Sequence, residues 1–219
     1  MKLTAVLSFL NQLRANNNKA WMDAHRDEYQ AARQSVIDLT AYLLNGLAPE
    51  DEGLAGLDPK KCIFRINRDV RFSKDKSPYK LNFGTAMAEG GRHSGNPVYY
   101  LQIQPLGESF IAGGLYQAPT DVLARVRQEI DYNAAELKPI TDDDTFRRYF
   151  GAIQGDSLKR APKGYSPDHP NIELIKLKDY LVMHKLTDEQ VTDEQFPEQA
   201  LSIFRAMVPF VRYLSVAIS

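Results

Sequence analysis

At 219 residues and a net charge of −1, with 43% hydrophobic and 25% charged residues, the chain has an ordinary globular composition, neither disordered nor fibrous. That near-neutral balance excludes a general polyanion binder, whose whole domain is basic. A single cysteine, Cys62, excludes an internal disulfide framework and suits a reducing cytosol.

The first segment, MKLTAVLSFLNQLRANN, superficially imitates a signal peptide. Leu3, Val6, Leu7, Leu10 and Leu13 recur at helical spacing and no small-residue cleavage site precedes Asn11, so an amphipathic helix of the mature domain is expected. Asn16 to Asn18 form a turn ending in an N-cap. Trp21, His25, Tyr29, Ala32, Val36, Leu39 and Leu43 then step by three or four, predicting one long helix that stops near Asn45-Gly46. An acidic loop, PEDEGLAGLDPKK, follows. Apolar and polar residues nearly alternate from Phe64 to Phe72 and again from Tyr79 to Ala88, as in half-buried strands. After the flexible GGRHSGNP, two more strands are expected over 98–104 and 109–116, joined by the turn at Pro105 to Glu108. Helices return behind Pro119 and near Asp144. A Pro/Gly-rich loop covers 158–170, a helix 171–178, a further strand 180–186 and a closing helix 196–218, which Pro209 should kink. The fold class is therefore α+β: a central antiparallel meander of about four to five strands flanked by N-terminal and C-terminal helices, one domain over 1–219.

The charge is concentrated. KKCIFRINRDVRFSKDKSPYK, residues 60–80, holds eight basic residues against two acids, leaving −7 for everything outside it. Like charges two apart on a strand lie about 7 Å from each other. Their repulsion is about 0.6 kcal/mol in water but about 2.4 kcal/mol at an effective dielectric of 20. A solvated face tolerates that; a half-occluded one holds it to bind something. If Phe64, Ile66, Val70 and Phe72 face the core, Arg65, Asn67, Asp69 and Arg71 share the other face. Arg68 then falls on the apolar side, either as a buried ion paired with Asp23, Asp27 or Glu28, or re-aimed by a bulge. Arginine forks suit phosphate and carboxylate, Lys74 and Lys76 occupy a polar turn, and Lys80 and Asn82 share their strand face with Gly84, Ala86 and Ala88. That small-residue floor has room for a ligand or for a packed helix.

A second basic cluster, LKRAPKGYSPDHP, reads as a surface loop capping the next helix. Folded over the first cluster, it would instead supply Lys159, Lys163 and Tyr165 as anion ligands and His169 as an acid or base. RINRDVRFSKDKSPYKLNFG, GGLY at 113–116, LKRAPKGY with DHP, and NNNKAWMDAHRDEY together resemble the domain of unknown function 2461 family. The similarity runs over roughly residues 4 to 217. It implies one undivided domain and marks the two basic motifs as family hallmarks, but carries over no activity, cofactor or catalytic residue.

His25, His93, His169 and His184 lack metal-ligand spacing, and no nucleophile or P-loop signature appears, so no metal or other cofactor is implied. Asp142 to Asp144 read as helix capping. His25 reads as a core histidine beside Trp21 and Tyr29. The expectation is a soluble, cytoplasmic protein without a membrane partner that binds a small phosphorylated or carboxylated molecule. Arg65, Arg68, Arg71, Lys74, Lys76, Lys80 and Asn82 would hold the anion, and Asp69, Asp75, His25 or His169 would move protons without a metal. The alternatives are a nucleic-acid stripe along the basic segment and a structural charge network in an interaction scaffold.

Overall fold

Four antiparallel strands in sequential order make the sheet: β1 (Phe83–Met87), β2 (Val98–Ile103), β3 (Ser109–Leu115) and β4 (Tyr180–Leu186). The computed structural model describes all 219 residues, and the architecture is the α+β arrangement expected, with helices at both ends of the chain. Before the sheet come α1 (Leu3–Ala15), α2 (Lys19–Ala24), α3 (Arg26–Leu47), a short 3-10 turn and α4 (Pro59–Cys62). After β3 come α5 (Thr120–Asp142), α6 (Asp144–Phe150) and α7 (Ile172–Ile175). β4 is followed by α8 (Asp188–Thr192) and α9 (Phe196–Ile218).

Register decides which residues share a face. Phe83 pairs with Ile103, Thr85 with Leu101 and Met87 with Tyr99, while Tyr99 faces Gly113 and Gly113 faces Val182. This row set is buried against helices: the Thr40 and Thr85 hydroxyls meet at 3.1 Å between α3 and β1, and Tyr99 packs edge-on to Phe204 of α9. α9 has the length and apolarity of a membrane-spanning helix, yet most of its apolar side chains, among them Phe204, Met207, Phe210 and Leu214, are buried in the same core cluster as Leu10 of α1. The alternate rows, Ala86–Tyr100–Ala112–Met183 and Gly84–Gln102–Phe110–Lys185, lie on the opposite face of the sheet.

Several elements differ from the sequence reading for definite reasons. The long N-terminal helix breaks at His25 (φ −112°, ψ 29°), whose Nδ1–H donates to the Trp21 carbonyl and whose ring stacks on the indole at 4.1 Å. The Trp21 carbonyl accepts both the His25 backbone N–H, at 3.0 Å, and this ring N–H, a C-cap that closes α2 before α3 begins. α3 then runs past Asn45-Gly46 to Leu47, because Leu47 is fully buried. α5 breaks at Asn133, whereas α9 continues unbroken through the exposed Pro209. The helix expected over 171–178 is confined to α7. Asp143 caps α6 by accepting the Phe146 N–H at 2.9 Å, the capping role read for the Asp142–Asp144 run.

The strand expected from Phe64 to Phe72 does not form. Ile63 bridges Thr85 and Phe64 N–H donates to the Gly84 carbonyl, but residues 66–68 turn back onto 78–80 through Lys80 N–H to Ile66 O and Arg68 N–H to Pro78 O. The basic segment is therefore a hairpin hanging from the β1 edge. Asn17 pins its base, exchanging both bonds with the Tyr79 backbone at 3.0 and 3.1 Å. Ile66 is buried as expected, but Phe72 at the tip is 95% exposed, because no second layer covers that end.

Candidate functional site

On the sheet face turned away from α9 lies a half-enclosed cavity of about 590 Å³. Its floor is made by small and aliphatic side chains of the alternate rows: Ala86 from β1 and Ala88 just beyond it, Val98 from β2, Ala112 from β3, and Leu181 and Met183 from β4. Gly84 belongs to the same face, with the Tyr100 hydroxyl lying over it and donating to Gln102 Oε1 at 3.2 Å. Phe64, Tyr100, Phe110 and Tyr116 form aromatic walls, and the loop between β1 and β2 closes one side with Arg92, Ser94 and Asn96. Burial raises the pKa of Tyr100, so its hydroxyl remains a neutral hydrogen-bonding group.

Two cations reach this cavity and no carboxylate lines it. Lys80 Nζ is 5.4 Å and the Arg92 guanidinium 5.6 Å from the Phe64 ring centroid, within cation–π range. Neither takes part in an ion pair. Partial desolvation and, secondarily, the nearby charge of Arg65 push the Lys80 pKa down. Arg92 is held in place by its Nη1, which donates to the carbonyls of Lys61 and of Ile63, the latter at 3.0 Å, and by its Nε, which donates to His93 Nε2 at 3.1 Å. Its Nη2 makes no protein hydrogen bond, and neither does Lys80 Nζ. The Lys80 ammonium and the Arg92 Nη2 are therefore uncommitted beside Phe64 in the wall of a largely apolar cavity.

The other residues of the basic segment are elsewhere. Arg68 is neither buried nor paired with the helix acids. It forms an ion pair with Asp75 and donates to Ser77 O at 3.2 Å and Ser73 Oγ at 3.3 Å, all within the hairpin. Proximity in sequence made that partner cheaper to order than one on α3. Arg71 grips Asp69 with Nε at 2.9 Å and Nη2 at 2.6 Å, fully in solvent. Lys76 donates to the Val70 carbonyl at 2.9 Å, and Arg65 and Lys74 are exposed with no acid partner. Asn82 donates to Gln104 Oε1 at 3.2 Å in a polar chain beside the cavity.

The proton-transfer candidates do not meet. Hydrogen bonds from Ser77 and then Arg68 hold the Asp75 carboxyl at about 2, and those from Arg71 lower Asp69, which makes both weak bases near neutrality. His25 is committed to Trp21. His169 donates from Nε2 to Asp131 at 2.9 Å and accepts the Asn171 N–H at Nδ1, so it staples its loop to α5. Tyr165 packs edge-on to that ring, while Lys159 and Lys163 are exposed. The second basic cluster does not fold over the first. Gln154 bridges Leu181 beyond β4, whereas Phe64 attaches beyond β1. The two edges are separated by five inter-strand spacings, roughly 24 Å.

Arg92 and His93 are the site residues that the sequence reading overlooks, and the only signal for them is a basic residue in a glycine-rich loop directly after the small-residue strand face. Across residues 5–213 the chain matches the family model described as conserved hypothetical protein (DUF2461). Neither the curated proteins nor the solved structures yielded a match. The matched span takes in the hairpin, all four strands, the cavity and both basic motifs, and the chain belongs to the DUF2461 family.

Proposed function

We propose that the cavity binds a small anionic molecule, with Lys80 and Arg92 as its charge ligands. One observation carries this reading: two cations line a cavity that has no acid in its lining, with the Lys80 ammonium and the Arg92 Nη2 free of protein partners. Holding such a pair unneutralised costs free energy, and that cost persists in a fold only where something else is gained. The cavity also has the volume and the mix of apolar wall and few polar groups typical of ligand sites. The chemistry supported is capture and orientation of an anion; no acid–base pair converges on the cavity.

The test separates stability from binding. Lys80→Met removes a partly desolvated charge that has no partner, so its melting temperature should equal or exceed that of the wild type. Thermal shifts produced by phosphate, sulfate or carboxylates should be lost in Lys80→Met and reduced at least tenfold in apparent affinity in Arg92→Met. If both variants respond to anions as the wild type does, the reading is wrong. The pH dependence has a definite sign. A bound anion favours protonated Lys80, so affinity is full below the lowered Lys80 pKa and falls as pH rises through it, earlier than an ordinary lysine would dictate.

A second reading rests on the hairpin tip. Phe72 stands 95% exposed with the Arg71 guanidinium 5.8 Å from its ring centroid, and Lys74, two residues on, is exposed without an acid partner. An aromatic platform among cations suits single-stranded nucleic acid, where stacking contributes about 1–3 kcal/mol per base. Fluorescence anisotropy with a labelled single-stranded oligonucleotide should then show salt-sensitive binding weakened at least fivefold by Phe72→Ala. Unchanged binding in that variant, or none in the wild type at low salt, removes this reading.

A further inference from the structure

We infer that the ligand of this cavity is a carboxylate with an apolar body, an acyl chain or aromatic ring, rather than a phosphate compound with a polar one. This rests on the anion-binding reading above and assigns its ligand class. Both charge ligands sit against the Phe64 ring, and the floor is Ala86, Ala88, Ala112, Leu181 and Met183 with aromatic walls; the neutral polar side chains Ser94 and Asn96 come only from the loop between β1 and β2. A polar body such as a sugar would leave its hydroxyls unpaired against that surface, whereas a methylene or ring gains from it.

The donor inventory points the same way. Arg92 has Nη1 and Nε committed to Lys61, Ile63 and His93, leaving only Nη2 to add to the Lys80 ammonium. Two donor groups match the two oxygens of a carboxylate. A phosphoryl group presents a third oxygen and close to a second negative charge, for which the full guanidinium fork or a run of backbone N–H groups is the better match. In the loop beside the site the Gly91 N–H is spent on Ala88 O, the Ser94 N–H on Gly91 O and the Asn96 N–H on Ser94 Oγ, so between Gly91 and Asn96 the N–H groups of Arg92, His93 and Gly95 are free but no run of three successive ones is. Bound here, a carboxylate would meet Lys80 and Arg92 beside the Phe64 ring that both contact, with its body extending over Ala86 and Ala112 toward Met183.

A homologous series tests the assignment by calorimetry: acetate, butanoate, hexanoate and octanoate, with octanamide, hexyl phosphate, glucose 6-phosphate and inorganic phosphate as comparators. Affinity should rise roughly three- to fourfold per added methylene until the cavity is filled. Octanamide should bind at least tenfold more weakly than octanoate, and Lys80→Met should erase that difference. Ala112→Leu, checked for folding by circular dichroism, should flatten the chain-length dependence by filling the floor. A flat series with glucose 6-phosphate or inorganic phosphate binding as tightly, still lost in Lys80→Met, overturns the apolar carboxylate while leaving anion binding intact. Hexyl phosphate binding as tightly as hexanoate overturns the carboxylate head alone. Octanamide equal to octanoate with Lys80→Met silent, or no binding by any member, overturns this assignment together with the anion reading.

Discussion

Gly114→Ala should lower the melting temperature by roughly 10–15 °C, equivalent to about 4 kcal/mol for a chain of this length. Gly114 adopts φ +117°, a conformation closed to side chains, and a Cβ there would penetrate the Tyr180 carbonyl oxygen of the adjacent strand. Backbone cannot rotate away as a side chain can, so β3 and β4 would have to separate where Gly114 pairs with Leu181. Gly107 supplies the control. It also has positive φ (71°) but faces open space, so Gly107→Ala should cost only about 1 kcal/mol of conformational strain. Thermal unfolding followed by circular dichroism compares the two. Equal losses would mean that dihedral strain alone, and not the close approach of β4, explains Gly114.

That contrast gives GGLY at 113–116 a physical content that the letters lack. Gly113 faces α9, where a Cβ would run into the Met207 side chain, and Gly114 faces β4, so one pair of residues lets both neighbours close on β3. From the sequence alone the pair reads only as part of a strand, because what requires glycine lies more than sixty residues further along the chain.

Legibility followed the range of the interaction. The floor of the cavity is readable, since period-two alternation puts Gly84, Ala86 and Ala88 on one face of β1 with no knowledge of the partner strands. The turn at 105–108 is readable too, although its clamp is not: Asp188 accepts the Leu106 and Gly107 N–H groups, each at 2.9 Å, from α8, an element the sequence does not announce. The hairpin shows the opposite failure. Alternation from Phe64 to Phe72 has the pattern of a strand, but a strand needs a partner for its length, and beyond Arg68 the chain bonds to itself through Arg68–Asp75 and Arg71–Asp69. Net charge in the window is a correct clue to the region but a poor guide to the residues. Of its basic members only Lys80 lines the cavity, joined by Arg92 from a loop twelve residues later.

Arg127, whose partners lie about fifty residues further along the chain, is a large contributor to stability that the sequence does not announce. Nothing in Arg125-Val126-Arg127 separates the two arginines by sequence. Arg125 is exposed, whereas Arg127 is 9% exposed and donates from Nε to Ile175 O at 2.8 Å and from Nη2 to Leu177 O at 3.0 Å. It has no carboxylate partner; two carbonyls at the end of α7 take that place. Arg127→Ala should cost about 3 kcal/mol, because each buried carbonyl left without a donor loses about 1–3 kcal/mol, partly offset by no longer burying a charge. Arg127→Lys should recover no more than half of it, since a single ammonium cannot reproduce the planar fork that spans both oxygens. Leu177 also bridges Ser157, and the Leu158 N–H donates to Lys176 O, so the loss should spread to the edge beyond β4. Amide hydrogen exchange should therefore accelerate over 154–158 and 176–181 in Arg127→Ala while α1 and α3 stay protected. An Arg127→Lys variant as stable as the wild type would show that charge alone suffices there and that the two-carbonyl geometry is incidental.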